Sequence, residues 1–232
     1  MRLIKRGGGV KRSKSEIVII DYGMGNLRSV QKAFEACGAM PVIASSRAAV
    51  EQADKIVLPG VGAFTHAMRE LRRLKLVEVL KEKIKAGTPY LGLCLGLQLL
   101  FSRSEEGRKV RGMDVIPGVV RKFRGTMKIP HMGWNTLALK KKNCPLFKGT
   151  KPGNYFYFVH SYFGIPEDSS WIQAETSYGQ TFCSAVWKKN VFATQFHPEK
   201  SQAEGLRIIK NFIEYDPHLI SPLVRGRKRG SP

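Results

Sequence analysis

Tyr90-Leu-Gly-Leu-Cys-Leu-Gly-Leu-Gln98 reads as a short apolar strand, Tyr90 to Leu93, that turns at once into a helix running from Leu95 to about Ser102. Gly92 and Gly96 flank Cys94 at two residues on either side. Small neighbours permit the strained strand-to-helix turn that presents a nucleophile, the logic of the Gly-x-Ser-x-Gly elbow. A helix N-terminus also stabilises a thiolate through its partial positive charge. The bland alternative is a small cysteine packed in an apolar core element. The two glycines and Gln98 weigh against it.

Outward from this stretch the chain alternates strand and helix. Ile17-Val-Ile-Ile20 is a continuous β-branched run, the pattern of a strand buried on both faces. Leu27 to Cys37 has helical spacing and ends at Gly38. Pro41–Ala44 and Lys55–Leu58 read as strands, with a short helical stretch around Ala48–Ala53 between them. Pro59-Gly-Val-Gly62 is a turn, and Ala63–Ala86 is a long helical stretch that admits a break. Such alternation predicts a mostly parallel central sheet flanked by helices. After residue 107 the pattern becomes short strands: Val115–Phe123, Trp134–Leu139, Tyr155–Gly164, Trp171–Thr176, Phe182–Trp187 and Val191–Gln195. Several of these are expected to be antiparallel. A helix from Ser201 to Glu214 closes the unit. The organisation predicted is a basic flexible arm (1–16), one α/β domain (17–214) and a basic disordered tail (215–232).

Composition narrows the function classes. A chain of 232 residues buries a full core. The longest strongly apolar run, Tyr90 to Phe101, is too short to span a bilayer. Cys37, Cys94, Cys144 and Cys183 are widely spaced, with no Cys-x-x-Cys pair or zinc pattern. The N-terminus shows no apolar leader, so reduced thiols in the cytoplasm are the expectation. Neither a metal nor a cofactor is expected. The net charge is +21, and the tails do not account for it: residues 1–16 hold six Lys/Arg against one Glu, and 215–232 hold four against one Asp. A solvated basic surface explains this. A nucleic-acid-binding module is the rival reading, but no aromatic-interleaved basic motif supports it.

A cysteine nucleophile needs a base. Of five histidines, His197 is best placed, at the end of the apolar strand Val191-Phe-Ala-Thr-Gln-Phe196. Pro198 breaks the strand, and Glu199 follows where it can turn back and orient the imidazole.

Gly92–Gln98 and Gln195-Phe-His-Pro-Glu199 together resemble the class I glutamine amidotransferase domain. Ile20-Asp-Tyr-Gly-Met-Gly-Asn-Leu27, Leu58-Pro-Gly-Val-Gly-Ala-Phe64, His131-Met-Gly-Trp-Asn135 and His197-Pro-Glu-Lys-Ser201 narrow the likeness to glutaminase subunits of imidazole glycerol phosphate synthases. The likeness covers residues 17–214, and the tails have no counterpart in it. It implies that Cys94 attacks the glutamine carboxamide, His197 moves the protons and Glu199 orients His197. It implies an oxyanion site built from a backbone N–H at Gly60 or Val61 together with that of Leu95. It assigns Gln98 and Glu106 to the amino-acid end of glutamine, and the His160-Ser161-Tyr162 backbone to gripping it. Without the likeness, Gln98 reads as a helix-surface residue and Glu106 as a loop charge.

The likeness also implies a partner, a (β/α)8-barrel cyclase that forms a heterodimer with the chain and receives ammonia for histidine biosynthesis. Asn26, Trp134 and Lys200 match positions at or near that interface. Trp134 reads equally well as a core aromatic. A related ammonia donor serving surface-sugar amidation would carry the same glutaminase motifs.

Overall fold

The computed structural model describes residues 15–107 and 110–217. Most of the arm and tail expected at 1–16 and 215–232 lies outside these residues. The inner ends of both belong to the domain. The Glu16 carbonyl accepts from the N–H groups of Asp54 and Lys55 at 3.0 and 3.1 Å. Tyr215, which the sequence places in the tail, is buried against Phe192 at a ring separation of 4.9 Å.

The first half is a doubly wound unit. Its elements are β1 (Ile17–Ile20), α1 (Leu27–Ala36), β2 (Val42–Ala44), α2 (Arg47–Gln52), β3 (Lys55–Leu58), α3 (Phe64–Arg73), α4 (Leu76–Lys85), β4 (Tyr90–Leu93) and α5 (Leu95–Gln98). The second half holds β5 (Phe101–Ser104), β6 (Val110–Arg111), β7 (Ile116–Lys122), β8 (His131–Thr136), β9 (Ala138–Leu139), β10 (Tyr155–His160), β11 (Tyr162–Pro166), β12 (Ile172–Tyr178), β13 (Gln180–Lys188), β14 (Val191–Thr194) and α6 (Gln202–Glu214). The main sheet runs β2-β1-β3-β4-β14-β13-β12-β9. Its first five strands are parallel and the remaining pairings antiparallel.

Alternate residues of β1, β3 and β4 feed two cores. Val18, Ile20, Ile56 and Leu58 pack with residues of α2, α3 and α4 on one face. Ile17, Ile19, Val57 and Leu91 pack with α1 and α6 on the other. Burial on both faces is why these strands read as unbroken apolar runs.

The long helical stretch is two helices. Phe64, Ala67, Met68 and Leu71 form one buried stripe, and Leu76, Val79, Leu80 and Ile84 form another. The five-residue step from Leu71 to Leu76 breaks helical spacing, and Lys75 in the left-handed region (φ 56°) resets the phase.

The helix expected to reach Ser102 stops at Gln98. Leu99 to Phe101 are wholly buried, so no polar face marks a helix there. Their carbonyls are taken instead by the backbone of Met113 to Ile116, for example Met113 N–H to Leu99 O at 2.8 Å and Ile116 N–H to Leu100 O at 2.9 Å. The strand expected over Tyr155–Gly164 is divided between two small sheets. β10 pairs with β8, and after a bend at Ser161, β11 pairs with β7.

Candidate active site

Cys94 stands at the carboxyl end of β4, the edge where parallel α/β sheets place their ligands. It adopts φ 50°, ψ −100°, a strained conformation for a residue with a side chain. Two close approaches force the turn. A Cβ on Gly92 would lie 2.6 Å from the Gly96 carbonyl oxygen, and one on Gly96 would lie 1.9 Å from the Leu58 carbonyl oxygen. Only glycine lets the α5 backbone come that near β3 and β4. The Tyr90 hydroxyl donates to Gly96 O at 3.0 Å and holds the turn from below.

β14 is the parallel neighbour of β4, with Leu93 opposite Thr194. The Cys94 N–H donates to Thr194 O at 2.7 Å, which brings His197 beside the cysteine despite a hundred residues of separation. His197 begins a single 3₁₀ turn led by Pro198. Its N–H donates to Tyr157 O at 2.9 Å, and the Ser201 hydroxyl donates to its carbonyl at 2.6 Å. Inside this turn, His197 Nδ1 lies 2.8 Å from Glu199 Oε1, and both side chains are 3% exposed. Burial opposes charge on His197, yet the Cys94 sulfur and the Glu199 carboxylate outweigh it and push the pKa up to about 10. His197 Nε2 and Glu199 Oε2 are buried and lack conventional hydrogen-bond partners. A buried ring nitrogen left open beside a sulfur is positioned for proton transfer.

A cavity of about 380 Å³ opens over Cys94. It gathers eight of the sequence-predicted residues: Val61, Cys94, Leu95, Gln98, Glu106, His160, Ser161 and Tyr162. Their chemistry differs in detail from the expectation. Gln98 spends both amide hydrogens within the protein, on Tyr162 O at 2.8 Å and on Gln195 Oε1 at 3.2 Å. What it has left to present is an acceptor oxygen. Glu106 accepts from the Phe64 N–H at 2.7 Å and so caps α3, whose Ala63 N-cap has no side-chain acceptor. The Ser161 carbonyl accepts from Phe123 N–H at 3.0 Å. The His160 ring is turned inward and is 6% exposed.

The oxyanion arrangement is not the one expected from sequence. The Val61 N–H, trans to the Gly60 carbonyl, points away from that of Leu95. Instead the Gly60 carbonyl faces it and accepts the Leu95 N–H at 3.4 Å. The turn is cradled by Tyr22, whose hydroxyl donates to Pro59 O at 2.9 Å, and by Gly25, where a Cβ would lie 3.6 Å from the Gly60 backbone.

Of the residues matched to an interface, Trp134 is 45% exposed on β8 and is not a core aromatic. Its ring meets Tyr157 edge-on at 5.8 Å, and Lys200 lies over the Tyr157 ring at 5.9 Å. Asn26 is exposed but has a local task, capping α1 by accepting from Ser29 N–H at 3.2 Å.

Gln195 escaped a role on sequence. It is fully buried and donates to Cys94 Sγ at 3.5 Å. The signal was a lone amide at the end of an otherwise apolar strand. Among the described residues no cluster of His, Cys, Asp or Glu suits a metal ion, and no helix is long and apolar enough to cross a membrane.

The family model for glutamine amidotransferase class-I matches residues 18–215. Imidazole glycerol phosphate synthase subunit HisH of Syntrophotalea carbinolica is 54% identical over 203 residues, 84% of this chain and 98% of that protein. The HisH proteins of Geobacter sulfurreducens and Aquifex aeolicus are 51% and 50% identical over 86% and 84% of this chain, covering 99% and 94% of their own lengths. Among solved structures, the glutaminase domain of Trypanosoma brucei CTPS (TM-score 0.58, 18% identity, 86% of this chain and 93% of that one) shares the fold. So does PurLQS from Thermotoga maritima (TM-score 0.67, 17% identity, 87% and 98%). Sequence identity of this order across the described domain sets aside the surface-sugar reading of the sequence. The chain belongs to the class-I glutamine amidotransferase family, within the group formed by the HisH subunits of imidazole glycerol phosphate synthase.

Proposed function

We propose that Cys94, His197 and Glu199 are the residues that hydrolyse glutamine in this amidotransferase. The observation that carries the reading is the pairing of β4 with β14, which sets a strained, cavity-facing Cys94 against a buried His197 held by Glu199 at 2.8 Å. The Cys94 sulfur attacks the carboxamide carbon of glutamine. His197, charged by the thiol proton, returns a proton to the departing nitrogen, and ammonia leaves. The resulting glutamyl thioester is attacked by water, His197 takes the water proton, and glutamate is released with Cys94 restored. Glu199 stabilises the imidazolium throughout. The Gln98 oxygen and Glu106 suit the substrate ammonium, each by chemistry an acceptor at the cavity wall. Leu95 N–H and an N–H turned inward from Gly60–Val61 would hold the tetrahedral oxyanion.

The ammonia goes to a (β/α)8-barrel cyclase in a heterodimer. This is supported by the subunit names of the relatives and by the exposed apolar face of β8 and β10, where Met132 (62%), Trp134 and Tyr155 (59%) stand together. Only neutral ammonia has the lone pair that an imine-forming step requires, so transfer through a closed interface keeps it reactive. A cytoplasmic site suits four free cysteines, one of them the nucleophile.

The test separates the two nitrogen sources. In the complex with the partner subunit, Cys94→Ala is expected to abolish glutamine-driven synthesis and leave synthesis from ammonium salts intact. Equal loss with both sources contradicts the assignment.

A further inference from the structure

The inner face of the β8–β10 ribbon carries two histidines that the hydrolytic mechanism does not use. His131 and His160 face each other across the ribbon, and both are buried, at 2% and 6% exposure. His131 Nδ1 lies 3.0 Å from His160 Nε2. The direction of every hydrogen bond in this group is forced. His160 Nδ1 lies 2.8 Å from Tyr162 O, and a carbonyl only accepts, so that nitrogen carries a hydrogen. At the other end, Asn135 Nδ2 lies 3.3 Å from His131 Nε2. The Asn135 amide cannot be turned over. Its Oδ1 accepts from Thr136 N–H at 2.8 Å and its Nδ2 donates to Ser177 O at 3.0 Å. Nδ2 is therefore a donor, and His131 Nε2 must accept.

Only one assignment remains. Both rings are neutral, both carry hydrogen on Nδ1, and His131 donates to His160. Protonating either ring would set two N–H groups against each other. Burial agrees, pulling the pKa of His131 down to about 4 and that of His160 to about 3. Packing holds the rings in place: His131 is stacked on Tyr178 at 4.0 Å and on Phe158 at 4.9 Å.

The chain continues to the nucleophile. Tyr162 O receives a second donor, Gln98 Nε2, and so has both lone pairs engaged. Gln98 also donates to Gln195 Oε1, and Gln195 donates to Cys94 Sγ. Seven groups are thus linked: Asn135, His131 and His160 donate in turn towards Tyr162 O, Gln98 donates to it from the other side, and Gln98 also donates to Gln195, which donates to the sulfur.

We propose that His131 and His160 are positioning residues for glutamine hydrolysis: a neutral pair of fixed tautomer that locks the Tyr162 carbonyl and, through Gln98 and Gln195, holds the Cys94 sulfur in its attacking position. The inference rests on Cys94 being the nucleophile.

The test compares His131→Asn, which keeps a donor near the Nδ1 position, with His131→Phe, which keeps the stacked ring and removes the donor. In the full chain bound to its partner subunit, His131→Phe is expected to lower kcat for glutamine hydrolysis about tenfold, with ammonium-driven synthesis unchanged. His131→Asn is expected to stay within about threefold of the natural protein. A purely structural role predicts the reverse order, because Phe preserves the packing. Equal losses, or the larger loss in His131→Asn, overturn the proposal. Should neither variant fold, ¹⁵N resonances of the unsubstituted protein decide it: at pH 7 both rings must be neutral with hydrogen on Nδ1, and an imidazolium or an Nε2–H form overturns it. The tautomers do not depend on which residue attacks, so failure of the Cys94 assignment shows separately, as glutaminase activity surviving in Cys94→Ala.

Discussion

The backbone N–H of Leu95 donates to the carbonyl oxygen of Gly60 at 3.4 Å. That N–H is the donor next to the nucleophile, and here a carbonyl covers it. An oxyanion arriving at Cys94 would meet a second negative dipole where it needs a donor. Turning over the Gly60–Val61 peptide exchanges that carbonyl for the Val61 N–H. Val61 is 41% exposed, so its side chain does not resist the movement.

This sets an expectation for the isolated chain. Loss of one oxyanion donor costs ~10²–10³ in rate, and here both donors are compromised. Glutamate release by the lone subunit is expected to run at least ~10²-fold below that of the complex with its partner. Steady-state assays with and without the partner measure the ratio. A fully active lone subunit would show that the turn is no obstacle.

Gly96 tests the elbow. Its φ is ordinary, so the cost of adding a methyl group comes from contact alone: 1.9 Å to the Leu58 carbonyl oxygen, part of the β3 backbone. Backbone cannot swing aside as a side chain can. Gly96→Ala is expected to cost about 3 kcal/mol or more, or to prevent folding. Gly87→Ala is the control, with φ +96° and nothing within 4 Å of the added carbon. It should cost about 1–2 kcal/mol from backbone strain. Denaturant unfolding of the two variants ranks them, and equal effects would refute the packing argument.

The first half of the fold is legible in the sequence because its strands are buried on both faces and its helices carry single apolar stripes. Where everything is buried, periodicity is silent, and a helical reading of the apolar run therefore overshoots Gln98 into what is β5. The bend at Ser161 is hidden for a related reason. Tyr155 to Gly164 is aromatic-rich throughout, and nothing local marks the change from one sheet to another. Cys94, His197 and Glu199 are legible because glycine and proline punctuate them. The part that Gln195, His131 and His160 take in positioning the thiol is not, since a hydrogen-bond chain across several strands has no sequence spacing. The state of the Gly60 carbonyl is a single peptide orientation, which composition does not encode.

The charge on His197 depends on Cys94. Burial lowers its pKa, and the Cys94 sulfur is the strongest influence raising it, to about 10 against an ordinary 6.5. Replacing Cys94 with Ala leaves only Glu199 to oppose burial, so the His197 pKa is expected to fall. A raised His pKa contributes stability that is complete below about pH 6.5 and is lost as pH climbs towards 10. In Cys94→Ala this loss should finish at lower pH. Imidazole NMR titration follows His197 directly, and unfolding at pH 7 to 10 follows the linkage. An unchanged titration would mean that the sulfur is not coupled to the ring.

Trp134 makes the partner-facing surface testable without touching the chemistry. Along β8, His131, Gly133 and Asn135 face inward, while Met132 and Trp134 face out, with Tyr157 paired opposite Trp134. A half-exposed indole adds little to the stability of the lone subunit, so Trp134→Ala should leave its thermal unfolding nearly unchanged. At a partner interface the same ring becomes a buried aromatic anchor, and truncating such an anchor costs about 2 kcal/mol or more. Affinity for the partner is therefore expected to fall about 30-fold. Lys200, over the Tyr157 ring at 5.9 Å, lies at the edge of this cluster. Lys200→Ala should change the association rate and its salt dependence more than the dissociation rate. Binding kinetics at two salt concentrations separate the two effects. If Trp134→Ala binds as tightly as the natural chain, the outer face of β8 and β10 is not where the partner docks, and the exposed Met132 and Tyr155 lose their explanation.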